Sequence, residues 1–173
     1  MIIIDNFIQD PQFMEEVQKE EHWETPLPYA WKPHSQEISN MWEDLANSIW
    51  GYFNFDFVSE GYEYWTNPFA VGAQEELNWH NDKDEEHWNQ TGEIVTPRIG
   101  CVWYAHKETP IGGFLQIDRG EGEYERIQAV PNRLVIFDSG SYHSVSPITK
   151  ESGPRWTFAS NLWEKKPMDE NFV

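Results

Sequence analysis

From about residue 60 to residue 164 the chain is a succession of short apolar stretches, each cut off by turn-forming residues. Eight segments rich in aromatic and β-branched side chains stand out: 61–67, 75–80, 97–105, 112–118, 124–130, 133–138, 142–147 and 155–163. Gly, Pro, Asn and Asp clusters separate them, as strand punctuation requires. Pro131-Asn132 and Ser139-Gly140 read as tight turns. So many short strands, following two helices, predict a mainly β fold with N-terminal helices. The expected architecture is a double-stranded β-helix, a two-sheet jelly-roll barrel with helices over one face.

The N-terminal part reads differently. Ile2 to Ile4 forms a short strand. Asp10-Pro11 pairs a capping side chain with proline at the first helical position, and Phe13, Met14 and Val17 give an apolar face up to about Glu21. Pro26, Pro28 and Pro33 mark 23–37 as a loop. Asn40 opens a second helix, with Glu43 placed as in a capping box. Trp42, Leu45, Ala46, Ile49, Trp50 and Phe53 repeat at helical spacing and predict a face packed on a sheet. The expected organisation is one domain over 1–173, with a helical part of about 1–58 and a jelly-roll core of about 59–164. The polar segment 81–96, carrying Asp82, Lys83, Asp84, Glu85 and Glu86, reads as a long loop of the kind that forms lids.

Composition narrows the function. The net charge of −18 repels a phosphate backbone, so nucleic acid is a poor partner. The lone Cys101 excludes an internal disulfide and a multi-cysteine zinc site. The N-terminus reads as neither signal peptide nor anchor, and no apolar run approaches the roughly 20 residues of a membrane span, so the expected location is the cytoplasm.

One constellation carries chemistry. His80 and Asp82 are two residues apart at the end of a predicted strand, where alternate side chains leave the same face. His143, near the start of a distant strand, supplies a second imidazole. Two histidines and one carboxylate on one side of a metal leave coordination positions open, the pattern of non-haem Fe(II) oxygenases. Glu85 and Glu86 are alternative carboxylates, but their spacing does not set them opposite His80. Arg155 follows His143 by twelve residues and shares strand parity with Thr157, with Trp156 and Phe158 on the other face. A guanidinium can clamp a carboxylate with two parallel hydrogen bonds, and a hydroxyl can add a third. Pro147 and Gly153-Pro154 bracket the connection between 142–147 and 155–163, which predicts that these two strands are antiparallel neighbours.

The ordered set His80-x-Asp82, His143, Arg155-x-Thr157 resembles the motif order of Fe(II)/2-oxoglutarate-dependent dioxygenases. Gly112-Gly113-Phe114-Leu115 resembles a strand start common in their prolyl-hydroxylase-like branch, and Arg133-Leu134-Val135-Ile136-Phe137 the strand before the second metal histidine. The opening Ile3-Ile4-Asp5-Asn6-Phe7 is similar to small stand-alone members, including those carried by phages, for which the location would be the host cytoplasm. The resemblance implies His80, Asp82 and His143 as iron ligands acting in catalysis through the metal, and Arg155 as the partner of the cosubstrate's distal carboxylate. Tyr104 is similar in place to a tyrosine on the same carboxylate, and Thr157 adds a hydroxyl. Trp65 stands near a position where relatives carry a cosubstrate-contacting tyrosine, leaving Tyr64 or Asn67 to serve instead. The implied reaction hydroxylates an unactivated carbon while 2-oxoglutarate and O2 are converted to succinate and CO2, with ascorbate as a supporting reductant. The implied substrate is peptidyl, prolyl among the options, or a small molecule; the residues that would bind it, and the oligomeric state, stay open.

The competing reading is a non-catalytic jelly-roll module that binds a sugar or small ligand, for which ten tryptophans offer stacking surfaces. His87 and His106 fall outside the pattern and read as surface residues, His87 lying on the loop 81–96, from which contact with substrate is the minor alternative.

Overall fold

Strand β10 (Arg155–Trp163), buried at all nine of its residues, organises the molecule. It lies between β3 (Gly61–Phe69) and β5 (Ile99–Tyr104) in an antiparallel six-stranded sheet. β8 (Leu134–Phe137) and β1 (Ile2–Ile4) extend this sheet beyond β5, and β2 (Ala30–Pro33) extends it beyond β3. A second sheet runs in the order β4 (Leu77–His80), β9 (His143–Val145), β6 (Leu115–Gly120), β7 (Glu123–Ile127). The computed structural model describes residues 1–72 and 76–168. The mainly β, two-sheet architecture expected for a double-stranded β-helix is what these residues form.

Strand alternation divides β10 between two environments. Trp156, Phe158 and Leu162 face a core shared with the helices. Arg155, Thr157, Ala159 and Asn161 face a cavity between the sheets. The helix-side core is built of stacked rings: Trp23 lies on Trp156 at 5.5 Å and Trp42 on Phe158 at 5.7 Å, both nearly parallel. α1 (Pro11–Val17) is capped by Asp10, whose carboxylate accepts from the Gln12 and Phe13 amides. α2 (Met41–Tyr52) is capped by Asn40. It buries Trp42, Leu45, Ala46, Ile49 and Trp50 against the sheet, as their spacing predicts, and leaves Phe53 half-buried.

Several expectations need correction. The first helix stops at Val17, and the chain reaches His22 through a short 3-10 turn. The proline-bearing loop 23–37 contains β2, tolerated because it is an edge strand where a missing N–H costs no ladder bond. The segment 81–96 contains α3 (Glu85–Thr91), capped by Asp84 and ended by Gly92 in the left-handed conformation. The predicted strand 75–80 is β4 from Leu77 onward, and its first residue, Glu75, lies outside the described residues. The capping box is incomplete: Glu43 accepts from the amide of Ser39, not of Asn40.

The largest correction concerns the strands around 147–154. β9 and β10 are not neighbours; β9 pairs with β4 and β6, and β10 pairs with β3 and β5. The connection crosses from one sheet to the other. It is held on the way by Ser146 N to Phe114 O, Thr149 N to Ile111 O, and the Gly112–Ile148 bridge. Proline and glycine mark the ends of a connection equally well whether it turns back or crosses over.

Candidate metal and cosubstrate site

The two histidines meet by cross-strand pairing. His80 on β4 lies opposite His143 on β9, and their ring centroids are 4.3 Å apart. Leu77 lies opposite Val145, so three residue steps on β4 match two on β9. This extra residue is a β-bulge, a device that re-aims side chains beside a site. Leu77, His80, His143 and Val145 all line the cavity.

Asp82 lies beyond the end of β4, so strand parity is not what aims it. Its amide donates to Ser139 O at 2.9 Å, and its Oδ2 accepts from Asn161 Nδ2 at 2.9 Å. Its Oδ1 is 3.6 Å from His80 Nε2 and 3.8 Å from His143 Nε2. The three donor atoms lie within 4.8 Å of one another, close enough to share one metal ion.

The imidazoles are oriented from behind. His80 Nδ1 bonds Asn78 O at 2.7 Å, and His143 Nδ1 bonds Ser141 O at 2.9 Å. A carbonyl can only accept, so each Nδ1 carries the proton and each Nε2 lone pair is free for a metal, the usual outer arrangement of a metal-bound histidine. Burial holds His143 below its ordinary pKa, against the opposing pull of Asp82, which keeps the imidazole neutral as a ligand must be. The edge of Phe137 packs on the His143 ring at 5.1 Å.

The cavity has a volume of about 380 Å³, within the range of small-molecule sites. Leu115, Val102, Phe137 and Val145 make its walls largely apolar. Arg155 and Thr157 enter it from β10. Arg155 is 1% exposed and makes no salt bridge among the described residues. Its Nε donates to Gly113 O at 3.0 Å and its Nη1 to Thr157 Oγ1 at 2.7 Å. The guanidinium lies 5.3 Å from the ring centroids of both Phe69 and Tyr104. Burial lowers its pKa from the ordinary arginine value, with Tyr104 opposing. Tyr104 is fully buried and its hydroxyl makes no well-formed hydrogen bond among the described residues. Burial raises the Tyr104 pKa despite the nearby guanidinium, so it stays a neutral donor. A buried cation without a carboxylate partner among the described residues, beside a buried hydroxyl, calls for an anion.

The Gly112-Gly113 pair has a local reason. Gly113 has φ +64, and a Cβ there would sit 2.8 Å from Arg155 Cδ and 2.9 Å from Ile148 Cγ2. Only glycine lets the backbone adopt that turn and approach the guanidinium closely.

At the mouth, the segment Pro26–Tyr29 is fastened to β3 by Leu27 N to Thr66 Oγ1 at 2.7 Å and Thr66 N to Leu27 O at 3.2 Å. Tyr29 packs against Trp65, their centroids 4.6 Å apart. Of the three candidates near position 65, Trp65 and Asn67 line the cavity, whereas Tyr64 points to the opposite face and bonds Glu43. His106 is wholly buried, not at the surface: its Nε2 donates to Ala129 O and its Nδ1 accepts from the Trp156 amide. His87 lies half-buried on α3 and does not line the cavity. Sequence reasoning missed Asn161, which shares parity with Arg155 and Thr157 on β10 and could have been found by extending that face two turns of the pleat.

No curated protein matches the sequence. Among solved structures, a prolyl-4-hydroxylase from Pseudomonas putida is similar at 15% identity, covering 95% of this chain and 88% of the other, with a TM-score of 0.60. A Trichoplax adhaerens prolyl hydroxylase in complex with a hypoxia-inducible-factor degradation-domain peptide is similar at 14% identity, covering 94% and 83%, TM-score 0.64. HygX from Streptomyces hygroscopicus, with nickel and 2-oxoglutarate bound, is similar at 12% identity, covering 92% and 81%, TM-score 0.59. These likenesses establish the fold. A family model described as the 2OG-Fe(II) oxygenase superfamily matches residues 65–163, more than half of the chain and the stretch that carries the histidines, Asp82 and Arg155. The chain belongs to the 2OG-Fe(II) oxygenase superfamily, enzymes that use Fe(II), 2-oxoglutarate and O2.

Proposed function

We propose that this protein hydroxylates an unactivated carbon of a peptidyl substrate, prolyl among the options, or of a small molecule. His80, Asp82 and His143 would hold Fe(II). Arg155, with Thr157 and Tyr104, would hold the distal carboxylate of 2-oxoglutarate. The observation that carries this reading is Arg155: a buried guanidinium without an acidic partner among the described residues, in the same apolar cavity as two free imidazole nitrogens and a carboxylate.

The donor set fits the metal. Two neutral nitrogens and one carboxylate oxygen suit Fe(II) and occupy one side of it. When bound, iron and 2-oxoglutarate supply oxidising power for hydroxylation coupled to formation of succinate and CO2. The chain's own contribution is placement. Asn78 and Ser141 carbonyls aim the imidazoles, Gly113 and Thr157 aim the guanidinium, and the apolar walls keep bulk water away from the reacting centre. Substrate would enter beside Tyr29 and Trp65, whose rings offer an uncharged, flat contact suited to a proline ring or other apolar group.

The test is direct. Purified protein with Fe(II), ascorbate and 2-oxoglutarate should release succinate in air, with loss of the activity in His143→Ala. Candidate peptides should gain the mass of one oxygen. Failure of the protein to bind 2-oxoglutarate in a metal-dependent manner would sink the proposal.

A further inference from the structure

The two carboxylate oxygens of Asp82 face different partners. Oδ1 turns toward the imidazoles. Oδ2 is taken by Asn161 Nδ2 at 2.9 Å. The same amide nitrogen donates to Glu63 Oε1 at 2.7 Å, and Asn161 Oδ1 accepts from Ser139 Oγ at 2.9 Å. A side-chain amide nitrogen has two N–H donors, and here each has its own carboxylate. Flipping the amide would put its carbonyl between two carboxylates and its N–H groups against the Ser139 oxygen, so the orientation is determined by the network. Asn161 is 1% exposed and Glu63 8%.

Register builds this arrangement. Asn161 on β10 lies directly opposite Glu63 on β3 and opposite Gly100 on β5. A Cβ at Gly100 would stand 2.3 Å from Asn161 Oδ1 and 2.6 Å from Ser139 Oγ. The glycine therefore leaves room for the amide and hydroxyl to meet. Ser139 acts twice, since its carbonyl also holds the Asp82 amide.

We infer that Asn161 is a positioning residue that confines Asp82 to ligation through a single oxygen, with Glu63 and Ser139 fixing the amide that does so. The inference rests on the iron-site reading above. A carboxylate with both oxygens free can chelate a metal through both, and the second contact would take a position that cosubstrate or O2 needs. Engaging Oδ2 in a hydrogen bond to the buried Asn161 amide prevents that. Outer partners of this kind typically change metal affinity by about ten- to a hundredfold when removed.

The experiment uses metal alone, without 2-oxoglutarate and without turnover. Wild type, Asn161→Ala and Ser139→Ala are titrated with Mn(II), followed by the signal of free Mn(II), and then loaded with Co(II) for visible absorption. Asn161→Ala is expected to bind Mn(II) about tenfold or more weakly. Its Co(II) bands are expected to shift and weaken as the coordination number rises. Ser139→Ala, which keeps the donor but loosens its aim, is expected to change the same bands in the same direction by less. It serves as the deciding variant if Asn161→Ala does not fold. A Co(II) spectrum identical to wild type in the variant that binds overturns the inference, whatever the affinity. A wild type that takes up neither metal overturns the iron-site reading and this inference together, whereas normal wild-type binding with an unchanged variant spectrum overturns this one alone.

Discussion

Arg155 Nη1 donates to Thr157 Oγ1 at 2.7 Å, between two residues that share the cavity face of β10. The hydroxyl thereby holds one edge of a guanidinium that Gly113 O holds at another. The charge is aimed and desolvated before any anion arrives. Its conformational and desolvation costs are already met in the folded chain, so binding need not meet them.

Replacing Arg155 by Ala should therefore weaken 2-oxoglutarate binding by at least about 30-fold, the equivalent of losing one partner of a buried charge pair. Arg155→Lys should recover only part of this, because an ammonium has no planar fork. Mn(II) affinity should stay near wild type in both. Arg155→Met should leave the ligand-free Tm level or raise it, because it replaces a buried charge that has no acidic partner among the described residues. Calorimetric titration and thermal melting read these outcomes. A large drop in Mn(II) affinity would show instead that Arg155 supports the metal ligands.

Gly113 is the backbone side of the same clamp. Its φ of +64 and the 2.8 Å approach of a virtual Cβ to Arg155 Cδ predict that Gly113→Ala is both strained and crowded. A cost of about 1–3 kcal/mol in urea unfolding is expected. The 2-oxoglutarate affinity should fall as well, because the added methyl pushes the guanidinium. Gly122 also has positive φ, +82, but an added Cβ there meets open space. Gly122→Ala should destabilise without touching cosubstrate affinity, which separates backbone strain from the effect on Arg155.

Much of this was legible in the sequence, for identifiable physical reasons. Strand β10 matches the predicted 155–163, because alternation between Arg155, Thr157 and Ala159 on one side and Trp156 and Phe158 on the other is strong over nine residues. His80 and His143 were legible as metal-ligand types. Their meeting depends on a bulge in β4, and a one-residue irregularity leaves no mark in composition. Spacing from His80 picks out Asp82, yet its side chain is aimed by Ser139 and Asn161 rather than by strand parity. The pairing of β9 is not legible, because turn residues report that the chain changes direction and not which sheet it joins next. His106 reads as a surface histidine in the sequence because its two partners, Ala129 O and the Trp156 amide, are backbone groups distant along the chain.

That buried histidine predicts an acid limb of stability. Burial pushes the His106 pKa down to about 4, against an ordinary value of 6.5. Between those values the unfolded chain takes a proton that the folded chain refuses. The His106 contribution is thus fully present above pH 6.5, declines as pH falls, and levels off below about 4. The total loss is on the order of 3 kcal/mol. His106→Gln removes the titration. The stability difference between wild type and this variant, from urea unfolding, should change by that amount between pH 7 and pH 4. A difference independent of pH would show that His106 titrates in the fold as it does in the unfolded chain.

A second buried charge feature lies on the far side of the sheet from the cavity. Lys32 Nζ is 3.0 Å from Glu43 Oε2, with both side chains almost wholly buried. Glu43 also accepts from the Ser39 amide and hydroxyl and from the Tyr64 hydroxyl, and Lys32 also donates to the Glu37 carbonyl. These bonds tie the edge strand β2 to the start of α2, at the segment that leads from Pro26–Tyr29. Lys32→Met alone strands a buried carboxylate and should cost about 3–5 kcal/mol. Adding Glu43→Leu should restore much of that loss, because the apolar pair needs no desolvation, leaving chiefly the Ser39 and Tyr64 groups to find water. Urea unfolding of the two single variants and the double variant measures the coupling. Effects that simply add would show that the two charges are solvated independently, and that β2 is held to α2 by packing alone.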